Sequence, residues 1–286
     1  MIVMEFCAIF LLANGISSLI LALIICVSGS IRTIAMIKNP PSLNFKPIER
    51  IMRVVFILCF LAGTTLFPYF GVTEILRGAN SECPDRLPTF VAISTDFLIG
   101  GKLWLQLLMQ IERFAAFFYP HFHRVRFTKR ATTILSLVLV VMSLLFSLLV
   151  LTGIKERHFY GVFINFFGTC SWIAMFTLIW LTYRKLKHRR SRIGVNDINQ
   201  QPRMRERIEY ERVRNALGAR KYLFQSVLWS IPSILFILPW YIVLFIYVFC
   251  DVCLATNAGF FWQRFWVPFS FLYDAWMLLF MIFTGH

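Results

Sequence analysis

Two charges stand inside stretches otherwise suited to hydrocarbon. Lys102 lies in the apolar run from Phe90 to Ile111, and Asp274 in the run from Trp262 to Thr284. An ammonium or a carboxylate is costly in such a place when alone, and pairing relieves both, so they mark either a contact or a function. A third charge, Asp96, lies six residues before Lys102. The same run closes on adjacent opposite charges, in the stretch Glu112-Arg113-Phe114-Ala115-Ala116-Phe117-Phe118-Tyr119-Pro120. A Glu-Arg pair at the polar end of a helix is either a boundary anchor or part of a switch. Catalytic chemistry has no comparable signal. The histidines (His121, His123, His158, His188, His286) fall in loops or at the end, no His-Glu-x-x-His or phosphate loop occurs, and no nucleophile has a partner base. Cys250-Asp251-Val252-Cys253 has no second pair and no nearby His, which argues against zinc. We therefore expect no enzyme, no cofactor and no metal site.

The elements that must position these charges are membrane helices. The chain of 286 residues is 58% hydrophobic and only 15% charged, whereas soluble proteins are about half apolar and about a quarter charged. A net charge of +15 invites a nucleic-acid reading. That reading is excluded by placement, because the basic residues sit almost entirely in loops between apolar runs. Seven runs are long enough to span, at about 7–27, 54–72, 90–112, 131–153, 161–183, 222–248 and 262–284. The first lacks a basic leader and carries Glu5, so it reads as a span rather than a cleaved signal. Pro68 is expected to kink the second span, and Pro232 and Pro239 interrupt the sixth.

Lys and Arg settle the orientation. Loops 28–53, 113–130 and 184–221 hold 5, 5 and 13 of them, against five on the other side. The basic side is cytoplasmic, which places the N-terminus outside, the C-terminus inside, and Glu112-Arg113 at the inner mouth. The expectation is an all-α integral membrane bundle of seven helices forming one domain over 1–286, with a long basic inner loop at 184–221.

Seven spans joined to Glu112-Arg113-Phe114 and Pro120 resemble a rhodopsin-like receptor. The Glu-Arg-Phe-Ala sequence, abundant Phe and short ends are similar to the nematode serpentine chemoreceptors. The resemblance implies a receptor that binds a small molecule in the outer half of the bundle and signals through the Glu112-Arg113 face to a heterotrimeric G protein. It also implies a multi-pass plasma-membrane location, as in a sensory-neuron cilium. Receptors of that kind hold a cation between acids on the second and seventh spans. Here the second span, ending at Val72, offers no acid, and the third offers Lys102. Lys102 and Asp274 each lie about 18–20 Å from the outer end of their helices at 1.5 Å per residue, so Lys102 is read as replacing the ion and pairing with Asp274, the alternative being an ammonium that snorkels or is solvated by an open cavity. Lys102 and Arg113, eleven residues apart, fall within about 20° of one another around the helix.

Other assignments are less constrained by sequence. Asp96, Trp104 and Trp240 are candidates to line the ligand pocket, although Asp96 also suits a water-facing boundary and tryptophans in spans also serve as packing or interfacial anchors. Cys83 and Cys253 (or Cys250) fall on the oxidising side, where a bridge between them competes with free thiols or a Cys250–Cys253 link. Cys7, Cys26, Cys59 and Cys170 lie in apolar runs and read as small packing residues. Loop 184–221 suits anionic lipid as well as a G protein. Phe-rich spans favour an apolar or volatile ligand. The alternative is a ligand-gated channel or transporter subunit with Lys102, Asp274 and Asp96 along its path.

Overall fold

The computed structural model describes residues 2–38, 47–80, 88–148 and 157–192, then 224, 227–228, 230–231, 233–239, 242, 264–265, 267–269 and 271–283. Every element among them is helical. In order they are α1 (Ile2–Lys38), α2 (Pro47–Leu61), α3 (Phe67–Ala79), α4 (Thr89–Phe118), α5 (Pro120–Arg126), α6 (Lys129–Leu148), α7 (Arg157–Arg192) and α8 (Leu272–Phe283). Four stretches are long and apolar enough to cross a membrane: Glu5–Ile34, Ile48–Ala79, Thr89–Phe118 and Lys129–Leu148. A 30-residue helix runs about 45 Å, so it passes beyond a hydrocarbon core of about 30 Å.

The helices therefore overrun the expected spans. Residues 28–38 and 47–53, expected as loop, are helical, as are 73–79, 113–118, 120–126 and 184–192. Helices continue through the polar interface because long basic side chains lay their stems along the helix and keep their charges in water. Where they stop, the cause is local. Tyr119 precedes Pro120 and sits at φ −135, ψ 62, outside the helical region, as the proline ring requires. Pro120 then opens α5 at a position where its missing N–H costs nothing. Thr128 begins α6 by accepting the Ala131 N–H at 3.2 Å.

The second expected span is α2 and α3 joined by a π-helical turn, Ala62–Leu66. There the Phe67 N–H reaches back to the Ala62 carbonyl. In that register the Gly63 carbonyl would look to residue 68, a proline with no N–H. The Cys26 thiol of α1 donates to it instead at 3.5 Å. A second π turn, Ser233–Ile237, lies just before Pro239. Hydroxyls also bond the backbone near the first turn, Thr64 to Phe60 O at 3.0 Å and Thr65 to Leu61 O at 2.7 Å.

Two packing surfaces fix the bundle. α1 lies along α3 with backbone nearly touching backbone: a Cβ on Gly15 would come within 2.7 Å of the Gly71 carbonyl, and one on Gly78 within 2.9 Å of the Ala8 carbonyl. Small residues permit this approach where lipid supplies no hydrophobic drive between helices. α4 lies at the centre, against α2, α6 and α7. It buries Val91, Thr95, Leu98, Lys102, Leu105, Met109 and Glu112, alternating steps of four and three along one stripe. α6 is inverted relative to a soluble helix. It buries Thr132, Ser136, Ser143 and Ser147 and turns Ile134, Leu137, Val141 and Leu145 outward. Such an arrangement suits hydrocarbon outside and hydroxyl contacts inside.

Candidate functional site

Lys102 and Asp274 meet in the middle of the bundle. Lys102 Nζ lies 2.5 Å from Asp274 Oδ1, and the two are 1% and 0% exposed. Neighbouring residues explain why each is there. Gly100 and Gly101 let α6 approach α4 closely, with Ser143 Oγ donating to the Phe97 carbonyl at 2.9 Å. On the other side, the chain tightens at residue 271, where the Phe271 N–H donates to the Pro268 carbonyl and the Asp274 N–H to the Phe271 carbonyl. Residues 264–265 and 267–269 ahead of it are also helical; α8 starts at Leu272, and Asp274 falls in its first turn. A carboxylate there is favoured by the helix dipole.

Cys59 of α2 donates its thiol to the same oxygen at 3.4 Å. The Lys102 ammonium also lies 4.3 Å from the Phe271 ring centre and 5.7 Å from that of Tyr273, where an aromatic face attracts a cation. Three helices thus converge on one neutral ion pair. Asp274 Oδ2 has no hydrogen-bond partner among the described residues.

A second buried pair lies toward the other end of α3 from the π turn. Arg264 Nη1 donates to Glu74 Oε1, and both side chains are essentially inaccessible. Asn14 of α1 donates to the Arg264 carbonyl at 3.2 Å. The absence of an acid from the second span is corrected here, because α3 carries the helix beyond Val72 to Ala79 and Glu74 lies within it. Sequence reasoning missed this pair, although one signal was present. Phe67, Phe70, Gly71, Glu74 and Gly78 recur at three- and four-residue steps on the buried face of α3, so the stripe continues through the acid.

Toward the C-terminal end of α4, Glu112 is buried and bonds His123 Nε2 at 2.8 Å. His123 and His121 lie on α5, not in a loop. Arg113 is half-buried. Phe114 packs its ring 4.9 Å from Phe118 and 6.1 Å from Tyr119, while Pro120 opens α5. Comparison of the sequence with family models returned no match, and comparison with curated proteins returned none either.

The remaining candidates are dispersed. Asp96 is half-buried, one position beyond the stripe that Thr95 occupies. Trp104 meets Phe146 of α6 edge-on, with ring centres 5.5 Å apart. Trp240, Cys83, Cys250 and Cys253 lie outside the described residues, as does most of loop 184–221. Cys7 is in a disulfide rather than serving as a packing thiol, and its partner lies outside the described residues. Cys26, Cys59 and Cys170 are free cysteines. Among the described residues no cluster of His, Cys, Asp and Glu fits a metal.

Proposed function

We propose that the chain is a seven-span receptor of rhodopsin-like type, chemosensory in kind, with its N-terminus outside. In this reading a small molecule enters the outer half of the bundle and shifts the helices between two packings, and the inner end of α4 presents Arg113 to a heterotrimeric G protein. The observation that carries the reading is the inner end of α4. Glu112, buried and bonded to His123, ties α4, somewhat under two turns before its end, to the short helix after it, so a shift of α4 relative to that helix must stretch or break the bond. Arg113 follows it in sequence, and Arg124 and Arg126 are exposed in the last turn of the next helix, basic groups suited to an acidic partner or anionic lipid. The Cys7 disulfide supports the orientation, because disulfides persist on the oxidising side of a membrane.

A reporter assay tests the reading. Across a chemical panel, Arg113→Ala is expected to abolish agonist response while surface expression is kept. A response undiminished by that change would remove the receptor assignment.

A second reading, a transporter or channel subunit, draws on a specific feature. Acid–base pairs at Glu74–Arg264, Lys102–Asp274 and Glu112–His123 recur along the bundle, and buried ionisable groups in spans often mark a proton or ion path. Ligand-evoked current in the absence of G protein would favour it.

A further inference from the structure

Two arginines come together where the seam between α1 and the second span reaches the membrane edge. Deeper in, that seam is tight: a Cβ on Gly63 would strike Ile25, and one on Gly29 the Phe60 ring. Arg32 follows Gly29 on α1, two residues short of the end of the apolar stretch Glu5–Ile34. Arg53 precedes Phe60 on α2, near the start of the stretch Ile48–Ala79. The two guanidiniums are near enough to repel. Arg32 Nε is buried with no hydrogen-bond partner among the described residues, while the side chain as a whole is half-buried. Its neighbours Ile31 and Ile34 are exposed, so Arg32 borders the lipid. Arg50, one turn before Arg53, is engaged elsewhere, with Nη1 donating to the Lys129 carbonyl at 3.2 Å and to Thr133 Oγ1 at 3.0 Å. The connection between α1 and α2 supplies no acid in its sequence, since residues 39–46 contain none and add Lys46. A guanidinium N–H withdrawn from water without an acceptor is costly, and an arginine near a span end reaches toward the headgroups.

We propose that Arg32 and Arg53 hold the phosphate monoester of an anionic phospholipid at the α1–α2 seam. Such a phosphate carries roughly 1.5 to 2 negative charges and three acceptor oxygens, enough for the forks of two guanidiniums at once. A headgroup phosphate lies at the depth where both spans reach the interface, and its acyl chains would run along Ile31 and Ile34. The phosphate diester of a zwitterionic lipid carries one negative charge with a cation attached, and so serves two guanidiniums poorly. The site depends on the spans alone, not on the receptor reading or on which face is cytoplasmic.

The test uses the full chain purified in detergent, with thermal unfolding followed during titration of phosphatidic acid, phosphatidylcholine or inorganic phosphate at matched ionic strength. A saturable rise in the midpoint is expected with phosphatidic acid and not with the other two. Arg32→Gln is expected to weaken the effect at least about tenfold, the loss of one charged hydrogen bond, and Arg32→Lys to weaken it less. Arg32→Lys also carries the comparison if Arg32→Gln fails to fold. Arg130→Gln, an exposed cation in the first turn of α6, is expected to keep the full effect. No saturable rise, an equal rise with phosphatidylcholine or inorganic phosphate, a rise retained in folded Arg32→Gln, or an equal loss in Arg130→Gln overturns the proposal. The last of these would mark a diffuse attraction between basic ends and anionic lipid rather than a site. The assay contains no G protein, so a silent reporter leaves a positive lipid result standing.

Discussion

A lone charge in the membrane interior stands out against its neighbours, while one near a span end looks like any boundary residue. Lys102 and Asp274 were legible for the first reason, each with apolar residues on both sides. Glu74 and Arg264 were not, because both lie within a few residues of where their apolar runs end, and only helix length distinguishes an interior charge from a rim charge there. The C-terminal end of α4 shows a finer limit. Eleven residues at 100° each bring Arg113 nearly under Lys102, yet the buried position goes to Glu112. The buried stripe of α4 steps by four and three, an average of 3.5, and such a repeat drifts from the straight-helix count over three turns. Lys102→Asp is expected to leave two facing acids and to cost about 3–5 kcal/mol, as for other broken buried pairs. It should abolish surface expression, and adding Asp274→Lys should restore part of it. Flow cytometry of a tagged chain measures this, and no recovery in the double variant would mean the pair is not an interacting unit.

At the level of elements, proline explains most of what the apolar pattern alone could not. Hydrophobic runs locate spans, but they carry no information about which hydrogen-bond register a helix uses, and Pro68 promised only a bend. The outcome was a π turn whose stranded Gly63 carbonyl takes the Cys26 thiol. Cys26→Ala is therefore expected to lower the unfolding free energy of the wild type by about 0.5 kcal/mol, for so weak a donor. In a Pro68→Ala background, where residue 68 regains an N–H, the same change should have no effect. Equal losses in both backgrounds would break the link between the proline and the thiol. The α1–α3 contact gives a stronger test. Gly15→Val and Gly71→Val place a side chain where backbone or Leu19 now sits, at 2.7–3.0 Å, and each is expected to lower folded yield severalfold on size exclusion. Ile16→Val on α1, whose side chain is exposed, serves as the control.

Over the whole molecule, composition and charge placement determined the class of structure, and side-chain burial agrees with the four spans that the described residues show. Epitope tags on the two termini, probed in intact and permeabilised cells, are expected to report the N-terminus outside and the C-terminus inside. Tags accessible on one face only would rule out an odd number of spans. The inverted character of α6 sets a different constraint. Thr132, Ser136, Ser143 and Ser147 are the fully buried residues of this helix, with Leu139, Val140 and Phe146 packed beside them, so its hold on the bundle depends largely on hydroxyls and close approach rather than on the identity of its outermost aliphatic side chains. Over evolutionary time, or in a saturation library, its outward positions should drift freely among bulky aliphatic residues, while those four sites admit little larger than what they carry now.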